Sequence, residues 1–203
     1  MPLSALLLNC TLKPTVREKS STDRLLGEIL AELERHDCEG EIVRIADLNI
    51  KPGVKSDEGA GDDWPDLRKT LMASDILIVG TPIWLGQPSS VAKRVCERMD
   101  AFLDEKDDKG RMPSNGKVAA IAVVGNEDGA HHVSAELFQA LNDVGFTIPA
   151  NAVTYWVGAA MKDANYVDLD ATPREVKDAT AMLARNTAHL AHLLRSQTYP
   201  GKT

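Results

Sequence analysis

Three hydroxyl side chains, Ser20, Ser21 and Thr22, stand in a row immediately ahead of a run with helical periodicity. The first N–H groups of a helix lack intrahelical partners and carry partial positive charge, so hydroxyls placed there converge with them on one anion. A phosphate monoester fits that description, and Lys13 and Arg17 in the preceding loop would add charge. One hydroxyl suffices to cap a helix. Three exceed that need.

Two further stretches carry unusual chemistry. In GTPIWLGQPSS, from Gly80 to Ser90, Gly80 and Gly86 permit tight turns, Pro82 stiffens the path, and Ile83, Trp84 and Leu85 supply apolar surface where a loop is normally polar. Such a loop suits a flat aromatic ring and offers it backbone N–H groups, although Trp84 could equally cover the core from outside. In GNEDGAHH, Gly125 and Gly129 bracket Asn126, Glu127 and Asp128, a tight polar loop that a structural turn alone would also explain. His131 and His132 are adjacent, so on a helix they diverge and lack metal-ligand spacing; of the two, His131 is the one that could reach a ligand.

The whole-chain properties narrow the classes. A 203-residue chain with 43% hydrophobic residues can bury one sizeable core. Its formal net charge of −7 disfavours general nucleic-acid binding, which needs a basic face. Three scattered cysteines, Cys10, Cys38 and Cys96, form neither a disulfide framework nor a metal motif and suggest a reducing, cytoplasmic setting. The start, MPLSALLLNC, lacks a basic leader, and no apolar stretch is long enough to span a membrane.

The elements that would position these residues alternate regularly. Apolar runs at SALLLN, EIVRIA, DILIVG, KVAAIAVVG and NAVTYWV read as strands. Helices are expected over 21–36, 64–73 and 89–103, in a fourth stretch carrying Val133, Leu137, Leu141 and Val144, and in a last one opened by Thr172 as a capping box with Pro173 at its first position. Segments 47–63, 104–116 and 158–171 read as long loops. Runs apolar on both faces imply a parallel sheet covered on both sides, hence an α/β, doubly wound, five-stranded domain over 1–195 with a flexible tail over 196–203. Ligands in such sheets bind beyond the carboxyl ends of the strands, where strand order reverses. The loops after Asn9, Gly80 and Val124 are therefore the expected site.

On these residues the chain resembles the flavodoxin-like NADPH-dependent FMN reductase family, which includes multimeric flavodoxin-type NAD(P)H:quinone reductases. CTLKPTVREKSSTD is similar to the family's first loop, TPIWLGQPSSVAKRVCERMD to its ring-binding segment with Trp84 in place of a tyrosine or phenylalanine, and GNEDGAHH to its fourth-strand loop. The resemblance covers about residues 3–156. It implies non-covalent FMN, with Thr11 and Lys13 standing for the family's first-loop serine and arginine and Ser20, Ser21 and Thr22 for its phosphate cradle. The ring would then lie along Pro82, Ile83, Trp84, Leu85 and Gly86 and against Gly125, Asn126, Glu127, Asp128 and Gly129. It further implies NAD(P)H as co-substrate, a quinone-like or other small electron acceptor, a homodimer or homotetramer, and no catalytic side chain. Cys10 replaces the family's usual glycine and the first loop is longer than usual.

Other users of this topology fail on particular positions. Six residues separate Cys10 from Arg17, one more than a low-molecular-weight tyrosine phosphatase allows. A response-regulator receiver would need acids where Asn9-Cys10 and Gly80-Thr81 stand. A Rossmann dehydrogenase could use Asp47 for a ribose, yet the first loop contains no glycine. A flavodoxin that carries electrons between proteins remains the alternative.

Overall fold

The computed structural model describes residues 1–16, 19–159, 162 and 164–202. Alternation of buried side chains along the strands feeds two cores. Leu6 and Leu8 of β1 (Leu3–Asn9), Leu77 and Val79 of β3 (Ile76–Trp84), and Ala119, Ile121 and Val123 of β5 (Val118–Gly125) face one side. There they meet α2 (Trp64–Ala73), α3 (Ser90–Met99) and α4 (Ala130–Asp143). The intervening residues, such as Leu7, Ile78 and Ala120, face α1 (Ser21–Glu34) and α5 (Arg174–Ser196). Successive strand residues point to opposite faces, so a strand buried on both sides is mostly apolar, as residues 5–8, 76–79 and 118–124 are.

With β2 (Cys38–Arg44) and β6 (Val153–Val157) the parallel sheet has the order β2-β1-β3-β5-β6. Counted over the parallel strands alone this is 2-1-3-4-5, the flavodoxin-like order, whose switch point lies between β1 and β3. A sixth strand, β4 (Gln87–Pro88), pairs antiparallel with the end of β3.

Three expectations need correcting. First, β3 does not stop at Gly80. It runs on to Trp84, because β5 pairs with it as far as Pro82↔Val124, while β1 leaves it at Asn9↔Gly80. Beyond Gly80 the strand is therefore an edge on its β1 side, where a proline is tolerated. Secondly, Gly80 is no turn residue: a Cβ there would lie 2.8 Å from Leu26, so it lets α1 settle onto the sheet. Thirdly, α5 begins at Arg174 with Pro173 as its cap residue, and Thr172 caps nothing; its hydroxyl donates to Glu28 of α1 instead. Beyond α5, Lys202 N–H donates to the Lys109 carbonyl (2.8 Å) and the Thr147 hydroxyl to Tyr199 (3.0 Å). Among the described residues no helix is long and apolar enough to cross a membrane.

Candidate functional site

At the carboxyl edge of the sheet, over the switch point, lies a cleft of about 470 Å³. Of the residues expected from sequence it brings together Thr11, Lys13, Ser20, Ser21, Thr22, Pro82, Ile83, Trp84, Gly125 and Asn126. Leu85, Gly86, Glu127, Asp128 and Gly129 do not line it, and Arg17 lies outside the described residues.

The α1 end of the cleft has the donor set for a phosphate. Ser20 is the cap of α1: its extended backbone presents Oγ to the Asp23 N–H (3.3 Å). Ser21 Oγ accepts the Val167 N–H (3.2 Å). Among the described residues neither hydroxyl donates to a protein acceptor. A hydroxyl carries one proton and two lone pairs. Ser20 accepts from Asn9 and Asp23 and Ser21 from Val167, and with their protons unspent both are set as donors beside the N-terminal N–H groups of α1.

Electrostatics agree. Asp23, in the first turn of α1, would repel an anion, but it forms an ion pair with Arg44 and accepts from the Asn9 amide. Asn9 in turn accepts the Thr11 N–H (3.0 Å), fixing the loop to the helix. Thr15 donates to Asp47 through its hydroxyl and its N–H; these bonds hold the Asp47 carboxyl below its ordinary value. Asp47 therefore fastens the first loop to the end of β2 and is no ribose ligand in this arrangement. Lys13 and Lys19 add cationic side chains to the lining.

At the other end Ile83 is buried while Trp84 is 50% exposed at the cleft mouth. The chain reverses through Leu85 (φ 52°) and Gly86 (φ 74°), the positive pair that a tight hairpin between twisted strands demands. The expected ring-facing N–H groups of Leu85 and Gly86 instead donate to the Glu127 carboxylate at 3.0 and 3.3 Å. Gly129 (φ 126°) completes the joint: a Cβ there would strike Gly86 Cα at 2.9 Å. Gln87 adds a contact to His132 (2.9 Å). Glu127 and Gly129 thus clamp the hairpin to the loop after β5, which is why they sit behind the cleft wall. His131 meets Tyr155 (3.2 Å) outside the cleft lining.

The wall that sequence reasoning misses is formed by Trp156 and residues 164–168. Trp156, next to the end of β6, lies against the ring of Tyr166 (centroids 5.5 Å apart). Applying the strand-end rule to the last strand would have found it. Tyr166 is fully buried and gives its phenolic proton to Glu28; burial first, and that bond second, push its ionisation far upward, so it remains a neutral phenol. No cluster of three or more metal-ligating side chains occurs among the described residues. Cys10, at the phosphatase position, is wholly buried with its thiol pushed far up by desolvation, so it offers no nucleophile.

A doubly wound sheet in the order 2-1-3-4-5, with a cleft over its switch point between the start of α1 and Trp84, defines a flavodoxin-like domain. The chain belongs to the NADPH-dependent FMN reductase family, whose model matches residues 7–162, and its class of activity is that of an FMN-dependent oxidoreductase. It is 32% identical over 209 residues to the 8-demethyl-8-aminoriboflavin-5′-phosphate synthase of Streptomyces davaonensis, covering 98% of this chain and 81% of that protein. The solved structure of RosB with bound intermediate OHC-RP (8-demethyl-8-formylriboflavin-5′-phosphate) superposes with a TM-score of 0.89 at 31% identity, covering 97% of this chain and 82% of that one. The divalent metal cation transporter MntH of Mycobacterium bovis matches at 33% identity over 201 residues, which are 96% of this chain but 29% of the transporter.

Proposed function

We propose that the cleft holds FMN non-covalently, its phosphate on Ser20, Ser21, Thr22 and the start of α1 and its ring along Pro82, Ile83 and Trp84 beside Gly125 and Asn126. The observation that carries this reading is the donor set: the Ser20 and Ser21 hydroxyls, which among the described residues accept from the protein but do not donate to it, at a helix N-terminus and sharing one cleft with Trp84. Bound FMN would supply hydride chemistry between a nicotinamide donor and a quinone-like or other small acceptor. The protein's share is to bind, orient and shield. Trp84 and Trp156 give the ring apolar surface, and the Asn126 side chain, which donates to the Lys162 carbonyl (3.1 Å), closes the far corner. No side chain in the lining has to form a bond. The exposed Leu85 tip beside Trp84 offers apolar area to a second copy in a homodimer or homotetramer.

A second reading is favoured by the flavin-phosphate synthase relative: the flavin phosphate would be the substrate, altered on its ring, and not a retained cofactor. One experiment separates the two. Purified protein is loaded with FMN, given NADH or NADPH and menadione, and the flavin is afterwards recovered for mass spectrometry. Sustained nucleotide consumption with FMN of unchanged mass supports the reductase; a changed flavin mass supports the second reading. Unchanged, bound FMN with no turnover on either nucleotide indicates an electron carrier. No FMN binding by calorimetry refutes all three.

A further inference from the structure

Residues 164–168 form a cleft wall just beyond the end of the family match at residue 162. The buried Tyr166 ring anchors this wall against Trp156 of β6. Its backbone is gathered by two side chains one turn apart on α1. Arg24 sends Nη1 to the carbonyls of Tyr166 (2.8 Å) and Leu169 (2.7 Å), sends Nη2 to the Thr172 hydroxyl (3.4 Å), and lies 4.9 Å from the centre of the Tyr166 ring. Glu28 pairs with Arg24 (3.2 Å) and accepts both the Tyr166 phenol and the Thr172 hydroxyl. Guanidinium donors are fixed in a planar fork, so one arginine can gather several carbonyls where a lysine cannot.

The wall touches the phosphate cradle at one atom pair. Val167 N–H donates to Ser21 Oγ (3.2 Å), and Val167 lies between the two residues whose carbonyls Arg24 holds most closely. By occupying a lone pair of Ser21, that N–H restricts where the hydroxyl proton can point. Ser21 lines the cleft, so the proton positions left to it include ones directed there. Arg24 thus reaches the anion through a chain of two contacts without touching it.

We infer that Arg24 is a specificity-determining positioning residue: by seating 166–169 on α1 it pre-orients Ser21 and makes the cleft prefer a phosphorylated flavin over unphosphorylated riboflavin. The inference rests on FMN occupying the cleft as proposed above. A pre-oriented donor strengthens only the contact it makes, so the phosphate end gains and the ring end does not.

The test measures dissociation constants for FMN and for riboflavin by quenching of flavin fluorescence, in the parent chain, Arg24→Met, Ser21→Ala and the double variant. Arg24→Met should weaken FMN by about tenfold, the loss of one charge-assisted hydrogen bond, and riboflavin by about twofold. The preference for FMN then falls by about fivefold. In the Ser21→Ala background Arg24→Met should leave that preference unchanged, because the two substitutions break the same chain of contacts. Equal weakening of both ligands, or a further fall in preference in the double variant, overturns the inference and leaves Arg24 as wall support only. If Arg24→Met does not fold, Tyr166→Phe serves: it deletes the phenol's contacts with Glu28 and Thr172 and should lower the preference in the same direction by about twofold. A parent chain that binds neither flavin overturns the occupancy reading itself. A parent that prefers FMN and keeps its preference in Arg24→Met overturns this inference alone.

Discussion

Glu127 is the residue whose removal should reveal how the ring end is held. Its carboxylate accepts from Leu85 N–H at 3.0 Å and Gly86 N–H at 3.3 Å, and it lies behind the cleft wall. A charge-assisted hydrogen bond contributes about 1.5–3 kcal/mol when water is excluded, but this turn is on the surface and water replaces much of what is lost. For the pair we take about 1–2 kcal/mol. Leu85 sits at φ 52°, where an L side chain costs about 1–2 kcal/mol. The two terms are of equal size, and only two residue pairs, Ile83↔Pro88 and Trp84↔Gln87, otherwise zip the hairpin. Glu127→Ala should therefore release the turn, displace Trp84 and weaken flavin binding by about 5–30-fold. Because the defect lies at the ring end, FMN and riboflavin should lose the same factor in calorimetric titration. Leu85→Gly should recover about half of the loss in the Glu127→Ala background, since glycine accepts the positive φ without strain. Flavin affinities within twofold of the parent in Glu127→Ala, or a further loss on adding Leu85→Gly, would refute the reasoning.

Three other outcomes are expected. Replacing Ser20, Ser21 and Thr22 together by alanine should cost FMN at least 100-fold in affinity on the scale of about 1.5–3 kcal/mol per bond and leave riboflavin nearly unchanged, whereas Trp84→Ala should weaken both alike; fluorescence quenching reads each. Asp62 is buried, which alone would raise its pKa, yet the Glu58 N–H, the Arg98 guanidinium (2.7 Å) and the Lys51 and Trp64 N–H groups bring it down to about 2. Since an unfolded aspartate titrates near about 3.9, this stability is present above that pH and is lost as pH falls through about 2; urea midpoints across the acid range should show it, with Asp62→Asn abolishing the dependence at a cost of about 3–5 kcal/mol near neutrality. Desolvation raises the thiols of Cys10, Cys38 (to about 12) and Cys96 (to about 11), so a disulfide reagent at mildly alkaline pH should label none in the native chain and all three after denaturation.

The parallel sheet and the cap of α1 were legible because each rests on local chemistry. A strand buried on both faces needs a continuous apolar run, and β1 has one over residues 5–8 and β5 over 118–124; helix caps use hydroxyls, and Ser20 is one. The end of β3 was not legible, since Pro82 reads locally as a break and only the length of β5 carries the pairing past it. The roles of Leu85, Gly86, Glu127 and Gly129 were half legible: their types announced tight turns, but that the turns face each other depends on Gly129 meeting Gly86. The wall at 164–168 was illegible for a stronger reason. Its position is set by Arg24 and Glu28, well over a hundred residues earlier, and nothing in its own sequence states that an arginine will gather its carbonyls.

The two ends of the cleft are held by separate devices. Glu127, Gly86 and Gly129 join loops at the ends of β3 and β5, while Arg24, Glu28 and Val167 join a surface segment to α1, and the hydrogen bonds described share no residue between the groups. Substitutions without common partners generally add in free energy. The fold losses of Glu127→Ala and Arg24→Met in FMN affinity should therefore multiply in the double variant, whereas Arg24→Met with Ser21→Ala should fall short of multiplying. A strongly sub-multiplicative result for Glu127→Ala with Arg24→Met would mean that ring and phosphate are not grasped independently. The cleft would then close as one body, with the 164–168 wall and the hairpin moving together.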